Sequence, residues 1–255
     1  MMNILRLPMQ YLKQGSKSMI EIQNLTKKFS KLKAVDDVNL KIEDGKCFAL
    51  LGLNGAGKTT LISMLSTSLK PSQGTAKFDD LDLIKDTGSV RKIINISPQE
   101  VAVAKNLTVK ENLDLIASLY LLQDKEHKIA QIIKEFDLEE KQNVLCKKLS
   151  GGQKRRLSIA LAIISEPKIL FLDEPTLGLD VKARNVLWKI IENLKSSMTI
   201  VLTTHYLDEV EKLADTIAIM SKGKIKTCGS LDEILKSTES KNLEEAFLKL
   251  TEEEV

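Results

Sequence analysis

The sequence predicts an α/β protein, a mainly parallel sheet covered by helices, with a helical lobe inserted between two sheet-forming halves. Short apolar runs closed by Gly, Asp or Thr recur along the 255 residues, as in "KCFALLG", "RKIINISP", "KILFLDEP", "MTIVLTTH" and "DTIAIMSKG". Helix-spaced segments lie between several of them, and from about residue 106 to 164 no strand candidate occurs. Runs of this length and β-branched content suit strands buried on both faces, and their alternation with helices is the pattern of a parallel sheet.

Taken in order, Met19 begins the strand-like "MIEIQNL". The run Cys47 to Leu51 is followed by a glycine loop and a helical pattern from Thr59 to Leu69. In the lobe, "TVKENLDLIASLYLL" sets Val109, Leu113, Ile116 and Tyr120 on one helical face, and "HKIAQIIKEFDL" does the same for Ile129, Ile132, Ile133 and Phe136. Ser150 with Gln153 three residues on is a capping-box pair, so a helix starts at Ser150 and carries a stripe of Leu157, Ala160, Leu161 and Ile164. Ile169 to Leu172 form a strand ended by Pro175, and Val181 to Leu194 read as a helix. The end of the chain, "SLDEILKSTESKNLEEAFLKLTEEEV", reads as helices on polar connectors with a frayed acidic tip. The expected division is an extension over 1–18, a main domain over 19–235 with the helical lobe at about 100–164 inserted in it, and a helical tail over 236–255.

Composition excludes several classes. With 43% apolar residues and charges scattered along the whole length, the chain can bury a sizeable core. A net charge of +3, with Lys and Arg alternating with Asp and Glu, gives no basis for a nucleic-acid partner. Cys47, Cys146 and Cys228 are far apart and form no CxxC pair, so neither a disulfide framework nor a zinc site is suggested, and mostly buried, reduced thiols are expected. No apolar run reaches the roughly 18 to 20 residues of a membrane-spanning helix. Residues 1–18 lack the apolar stretch and cleavage site of a signal peptide and read as an upstream start or a flexible tail; Pro8 argues against an amphipathic membrane-surface helix.

Three constellations carry chemistry. Gly52-Leu53-Asn54-Gly55-Ala56-Gly57-Lys58-Thr59-Thr60 is GxxxxGK[ST] between a strand and a helix. Its glycines allow backbone N–H groups to reach phosphate oxygens at a helix start, Lys58 would neutralise β and γ phosphates, and the Thr59 hydroxyl would serve Mg²⁺. Asp173 and Glu174 emerge where a buried strand ends; the first suits a metal and the second an attacking water, though two acids capping a strand are common by themselves. His205 also follows a strand, at the edge where parallel sheets collect ligands, whereas His127 in "QDKEHKIA" reads as solvated. A lone histidine is more often structural than catalytic, and both readings of His205 stay open on spacing. Gly151 and Gly152 follow Ser150 in the first helical turn, where each costs up to about 1 kcal/mol of propensity and leaves N–H groups bare for an anion. A capped helix with incidental glycines is the competing account.

Together "GLNGAGKTT", "SPQE", "LSGGQ", "LFLDEP", "TLGLD" and "TTHYLDEVE" stand in the order and at separations that resemble the nucleotide-binding subunit of ATP-binding cassette transporters, over Met19 to about Gly229. Leu53 stands where many members carry proline. The resemblance implies a RecA-like P-loop NTPase core with a small antiparallel β part, ATP and Mg²⁺ as cofactors, and ATPase activity. It implies that Phe29 stacks on adenine with Val35 nearby, that Gln99 senses nucleotide and Mg²⁺, that Ser150, Gly151, Gly152 and Gln153 bind the γ-phosphate of a second subunit's ATP, that Asp180 couples the two sites, and that His205 acts as the switch. It also implies separate transmembrane permease subunits, a second nucleotide-binding subunit, a place on the cytoplasmic face of the membrane, and export rather than import. The alternative is a soluble cassette ATPase acting on nucleic acid or ribosomes, whose relatives carry tandem cassettes or long coiled coils that this sequence lacks.

Overall fold

In the computed structural model, which describes residues 20–252, β3 (Cys47–Leu51) is buried along its whole length. Its side chains divide between two cores: Cys47, Ala49 and Leu51 face one, Phe48 and Leu50 the other. A strand covered on both faces requires layers on both sides of its sheet. The sheet around it is six-stranded, in the order β10 (Lys224–Gly229), β9 (Thr216–Ser221), β3, β8 (Thr199–Thr204), β7 (Ile169–Asp173), β6 (Ile94–Ser97). All neighbours are parallel except β10, which runs antiparallel to β9.

A second sheet lies over the Phe48 face. It is antiparallel, in the order β2 (Leu32–Ile42), β1 (Ile20–Phe29), β4 (Gln73–Phe78), β5 (Leu81–Asp82). Ile22, Leu25, Val38 and Phe78 from this sheet join Leu61, Ile62 and Leu65 of α1 (Lys58–Leu65) in one core. The small antiparallel part expected from the resemblance is therefore present.

Between β6 and β7 the chain is helical, with α3 (Val109–Leu119), α4 (Lys125–Glu135) and α5 (Gly151–Ile163); among the described residues the only strand-like pairing there is one bridge between Thr108 and Leu145. Thr108 and Glu111 close a capping box on α3, and Val109, Leu113, Ile129, Ile133 and Phe136 bury into the core that holds Leu157 and Leu170. Tyr120 departs from the predicted face: it ends α3 half exposed, beside Leu119 and Leu121, which are more exposed still. Helix α5 is also less one-sided than a stripe, since Ile159, Ala162 and Ile163 are buried as well while Leu161 is only partly covered.

Two boundaries shift. Helix α1 stops at Leu65, not Leu69, because Thr67 turns the chain with a left-handed φ of 62°. In "RKIINISP" the first three residues close α2 (Thr87–Ile93), and the strand starts at Ile94. Helix α6 (Val181–Leu194) has the predicted limits, and α7 (Leu207–Leu213), α8 (Leu231–Ser237) and α9 (Leu243–Glu252) complete the chain. The expectations for residues 1–18, for Met19 and for the acidic tip fall outside the described residues. No described helix is long and apolar enough to cross a membrane. The three cysteines are free; Cys47 and Cys146 are buried and Cys228 is exposed. Burial pushes the Cys47 thiol up to about 12.

Candidate nucleotide site

Strand order brings the chemistry to one edge. Because β8 lies between β3 and β7, with Leu51 opposite Thr204 and Asp173 opposite Thr203, the carboxyl ends of all three strands meet where parallel sheets bind ligands. The glycine loop leaves β3 at this edge. Gly57 caps α1 with φ 106°, and a Cβ there would sit 2.2 Å from the Ala34 carbonyl oxygen, so neither the conformation nor the space admits a side chain. Ala56 is held by its own N–H to Leu53 O (3.1 Å) and by Gly223 N–H to its carbonyl (2.9 Å); Asn54 is exposed. Among the described residues, no backbone carbonyl accepts from the N–H groups of Gly55, Gly57, Lys58, Thr59 or Thr60. Five donors at the positive end of α1 form an anion-binding surface.

The charged groups behind that surface satisfy one another. Lys58 Nζ donates to the carbonyls of Gly52 (2.8 Å) and Leu53 (3.2 Å) and pairs with Glu174 Oε1 at 3.1 Å, both side chains being almost fully buried. The other Glu174 oxygen lies 2.8 Å from His205 Nδ1. Asp173 Oδ1 accepts from the hydroxyls of Thr59 (3.1 Å) and Thr203. Glu174 itself has φ 47°, a left-handed conformation uncommon for a residue with a side chain, which persists only where surroundings impose it. Here they do: the Glu174 N–H donates to both the hydroxyl and the carbonyl of Thr203 (3.0 and 3.1 Å), and its carbonyl accepts from Arg155 Nη2 (3.3 Å).

Of the residues singled out from sequence, Lys58, Thr59, Asp173, Glu174 and His205 are joined directly. Gln99 follows β6 with an exposed side chain and a carbonyl held by Arg155 Nη2 at 2.7 Å. Phe29 is 47% exposed, with Lys27 Nζ 5.2 Å from its ring centre, but Val35 is fully buried with Ala56 and Met220 and supports the loop from beneath, without surface of its own. Ser150 and Gln153 form both hydrogen bonds of the capping box. A Cβ on Gly152 would meet Ala183 at 2.9 Å, so close approach of α5 and α6 accounts for that glycine; a Cβ on Gly151 would meet nothing within 4 Å. Asp180 caps α6, accepting from the Ala183 N–H at 2.8 Å. Among the described residues, no hydrogen bond or ion pair joins residues 150–153 to the loop at 52–60. His127 is exposed, as its charged neighbours predict.

Other participants carry no signal in the sequence. Thr203 links Asp173 to Glu174, and Arg155 reaches three carbonyls from a basic run that reads as surface. Glu209 of α7 is fully buried, its Oε1 accepting from Trp188 Nε1 at 3.2 Å. Burial holds its carboxyl above the usual range, against the smaller downward pull of the nearby Thr204 and Thr176 hydroxyls; Oε2 has no partner of good hydrogen-bond geometry.

A strand-to-helix glycine loop with free N–H donors and a buried lysine, set against two acids on the neighbouring strand edge, defines a P-loop protein that binds nucleoside triphosphates. The chain belongs to the ABC transporter family, whose model matches residues 35–177. It is 41% identical, over 83% of its length, to the human phospholipid-transporting ATPase ABCA3, of which it spans 13%. It is 40% identical, over 86% of its length, to the daunorubicin/doxorubicin resistance ATP-binding protein DrrA of Streptomyces peucetius, covering 67% of that protein. A solved ATP-binding subunit of an ABC transporter superposes with TM-score 0.82 at 28% identity, over 91% of this chain and 99% of the other. The ATP-binding cassette MJ0796, solved as a dimer in a post-hydrolysis state with ADP and Pi, superposes with TM-score 0.75 at 26% identity, over 83% of this chain and 98% of the other.

Proposed function

We propose that this chain is the ATP-hydrolysing subunit of an exporter, closing head to tail on a second nucleotide-binding subunit and passing that motion to separate transmembrane permease subunits at the cytoplasmic face of the membrane. The observation that carries the reading is the placement of Glu174, one carboxylate shared by Lys58 and His205 at the mouth of the phosphate loop. Phosphates entering among the N–H donors of Gly55 and residues 57–60 draw Lys58 to themselves and release Glu174 to orient and deprotonate a water. His205 then steadies Glu174 and the transferred phosphoryl group. Thr59 and Asp173, already in contact, suit a hard cation that prefers oxygen ligands, with Gln99 completing the set; Mg²⁺ held there would neutralise charge on the β and γ phosphates. Phe29 offers an exposed ring for the base.

Ser150, Gly151 and Gly152 serve the ATP of the opposite subunit. The exposed position of Ser150 and Gly151 and the open space round Gly151 support this, and the separation of these residues in the chain from Lys58 then has a reason. Likeness to the drug-resistance ATP-binding protein DrrA supports export, and the helical stretch at about 100–164 would be the lobe that meets the permease. Glu174→Gln is expected to retain ATP binding, slow turnover by roughly 10² or more, and accumulate an ATP-bound dimer in gel filtration. Turnover at the unmutated rate in that variant would refute the role of Glu174.

A further inference from the structure

Arg155 lies in the second turn of α5, three residues beyond Gly152, and is 3% exposed. Its neighbour Arg156 points the other way, to Asp137. The Arg155 guanidinium makes no hydrogen bond to a carboxylate among the described residues. Nη1 donates to the Pro98 carbonyl (2.7 Å), and Nη2 donates to the carbonyls of Gln99 (2.7 Å) and Glu174 (3.3 Å). Burial opposes its charge, and the carboxylates of Asp173 and Glu209 act in the opposite sense. Enclosing a cation to hold three carbonyls is costly unless their positions matter, and the planar fork of arginine is the side chain that spans acceptors on two separate segments.

Those segments are the ones the proposed mechanism depends on. Pro98 and Gln99 follow β6, and Glu174 follows β7, in the left-handed conformation that needs support on both sides of its residue. Thr203 supplies the support at the Glu174 N–H, and at the carbonyl Arg155 shares it with the Leu177 N–H (3.2 Å), Arg155 being the donor that also reaches the Gln99 segment. The geometry points to Arg155 as a positioning residue: it ties the start of α5, the Gln99 segment and the backbone of Glu174 into one unit, so that a contact made at Ser150 and Gly151 is felt where the water is activated. This inference rests on the assignment of Glu174 as the base.

A double-mutant cycle tests it, using ATP turnover by the purified full chain at a concentration where the rate per chain has stopped rising. Arg155→Met is expected to lower kcat about 10-fold or more while KM for ATP stays within about twofold, since no contact to the nucleotide is removed. In the Glu174→Gln background the same change is expected to alter the residual rate less than about twofold, because its effect passes through Glu174. Arg155→Lys, which keeps the charge but cannot reach all three carbonyls, is expected to fall between; where Arg155→Met does not fold, the lysine variant carries the cycle with the same criteria. An unchanged kcat, a loss confined to KM, or an equal fold-loss in both backgrounds would overturn the inference. Full-speed turnover by Glu174→Gln alone would instead remove the base assignment beneath it, so the two failures are distinguishable.

Discussion

The phosphate loop and the start of α5 are both glycine-rich helix N-termini, yet they differ in how completely the chain accounts for them. Around the loop each crowded position has an internal reason: Gly57 is required by φ and by the Ala34 carbonyl, and Lys58 and Glu174 neutralise each other. At α5, Gly152 has such a reason in Ala183, but Gly151 has none, and the Ser150 hydroxyl, which only accepts in its cap, keeps its own hydrogen to donate. Charge that is closed on itself marks a site that has to be opened by its ligand. Open space with bare donors marks a surface that waits for something outside the chain.

The largest effect that sharpens this contrast is expected at Lys58. Lys58→Ala leaves the buried Glu174 carboxylate with His205 alone and is expected to cost about 2–4 kcal/mol of stability by chemical denaturation, with Glu174→Ala in the same chain recovering most of it. Equal stability of Lys58→Ala and the parent would mean that the pair is not the closed unit described above. Next come the two glycines: Gly152→Ala is expected to destabilise by about 1–3 kcal/mol through the clash with Ala183. Gly151→Ala is expected to stabilise by up to about 1 kcal/mol, by helix propensity, while reducing ATP turnover. A Gly151→Ala chain that is more stable and equally active would break the contrast, because the bare first turn would then have no external use.

The smallest expected effect concerns Glu209. Its carboxyl is raised by burial, so the folded chain keeps a proton that the unfolded chain releases, and stability is fully present below the unfolded pKa, near 4.5, and is lost as pH rises through the folded value. Glu209→Gln removes that loss. Thermal melts of the two chains are therefore expected to converge, or cross in favour of the variant, as pH is raised from about 4.5; a parent whose melting temperature rises relative to the variant over that window would contradict the sign.

What could be read from sequence follows from how burial shapes the chain. β3, β7, β8 and β9 sit in the middle of a sheet covered on both faces, and such strands read as short runs of apolar residues, with threonine or serine at the ends of β8 and β9. β2 ("LKAVDDVNLKI") and β10 ("KIKTCG") lie at sheet edges with one side toward water, so their composition resembles that of loops. The seven-residue α7 is too short to show a period. Among the site residues, Lys58, Asp173 and Glu174 are visible because phosphate chemistry demands fixed spacing beside a strand. Arg155 is not, since in "QKRR" nothing local separates a buried guanidinium from the one beside it; only the folding of α5 against β6 and β7 decides which of the two turns inward.

Trp188 is the only tryptophan in the chain, and its indole N–H is committed to Glu209 while Arg184 lies over its ring with the guanidinium carbon 5.1 Å from the centre. It therefore lies on the helix that Asp180 begins, where that helix meets the one that follows His205. The protein carries a native fluorophore at the joint between those two helices, and its emission spectrum gives a label-free view of whether nucleotide binding moves them.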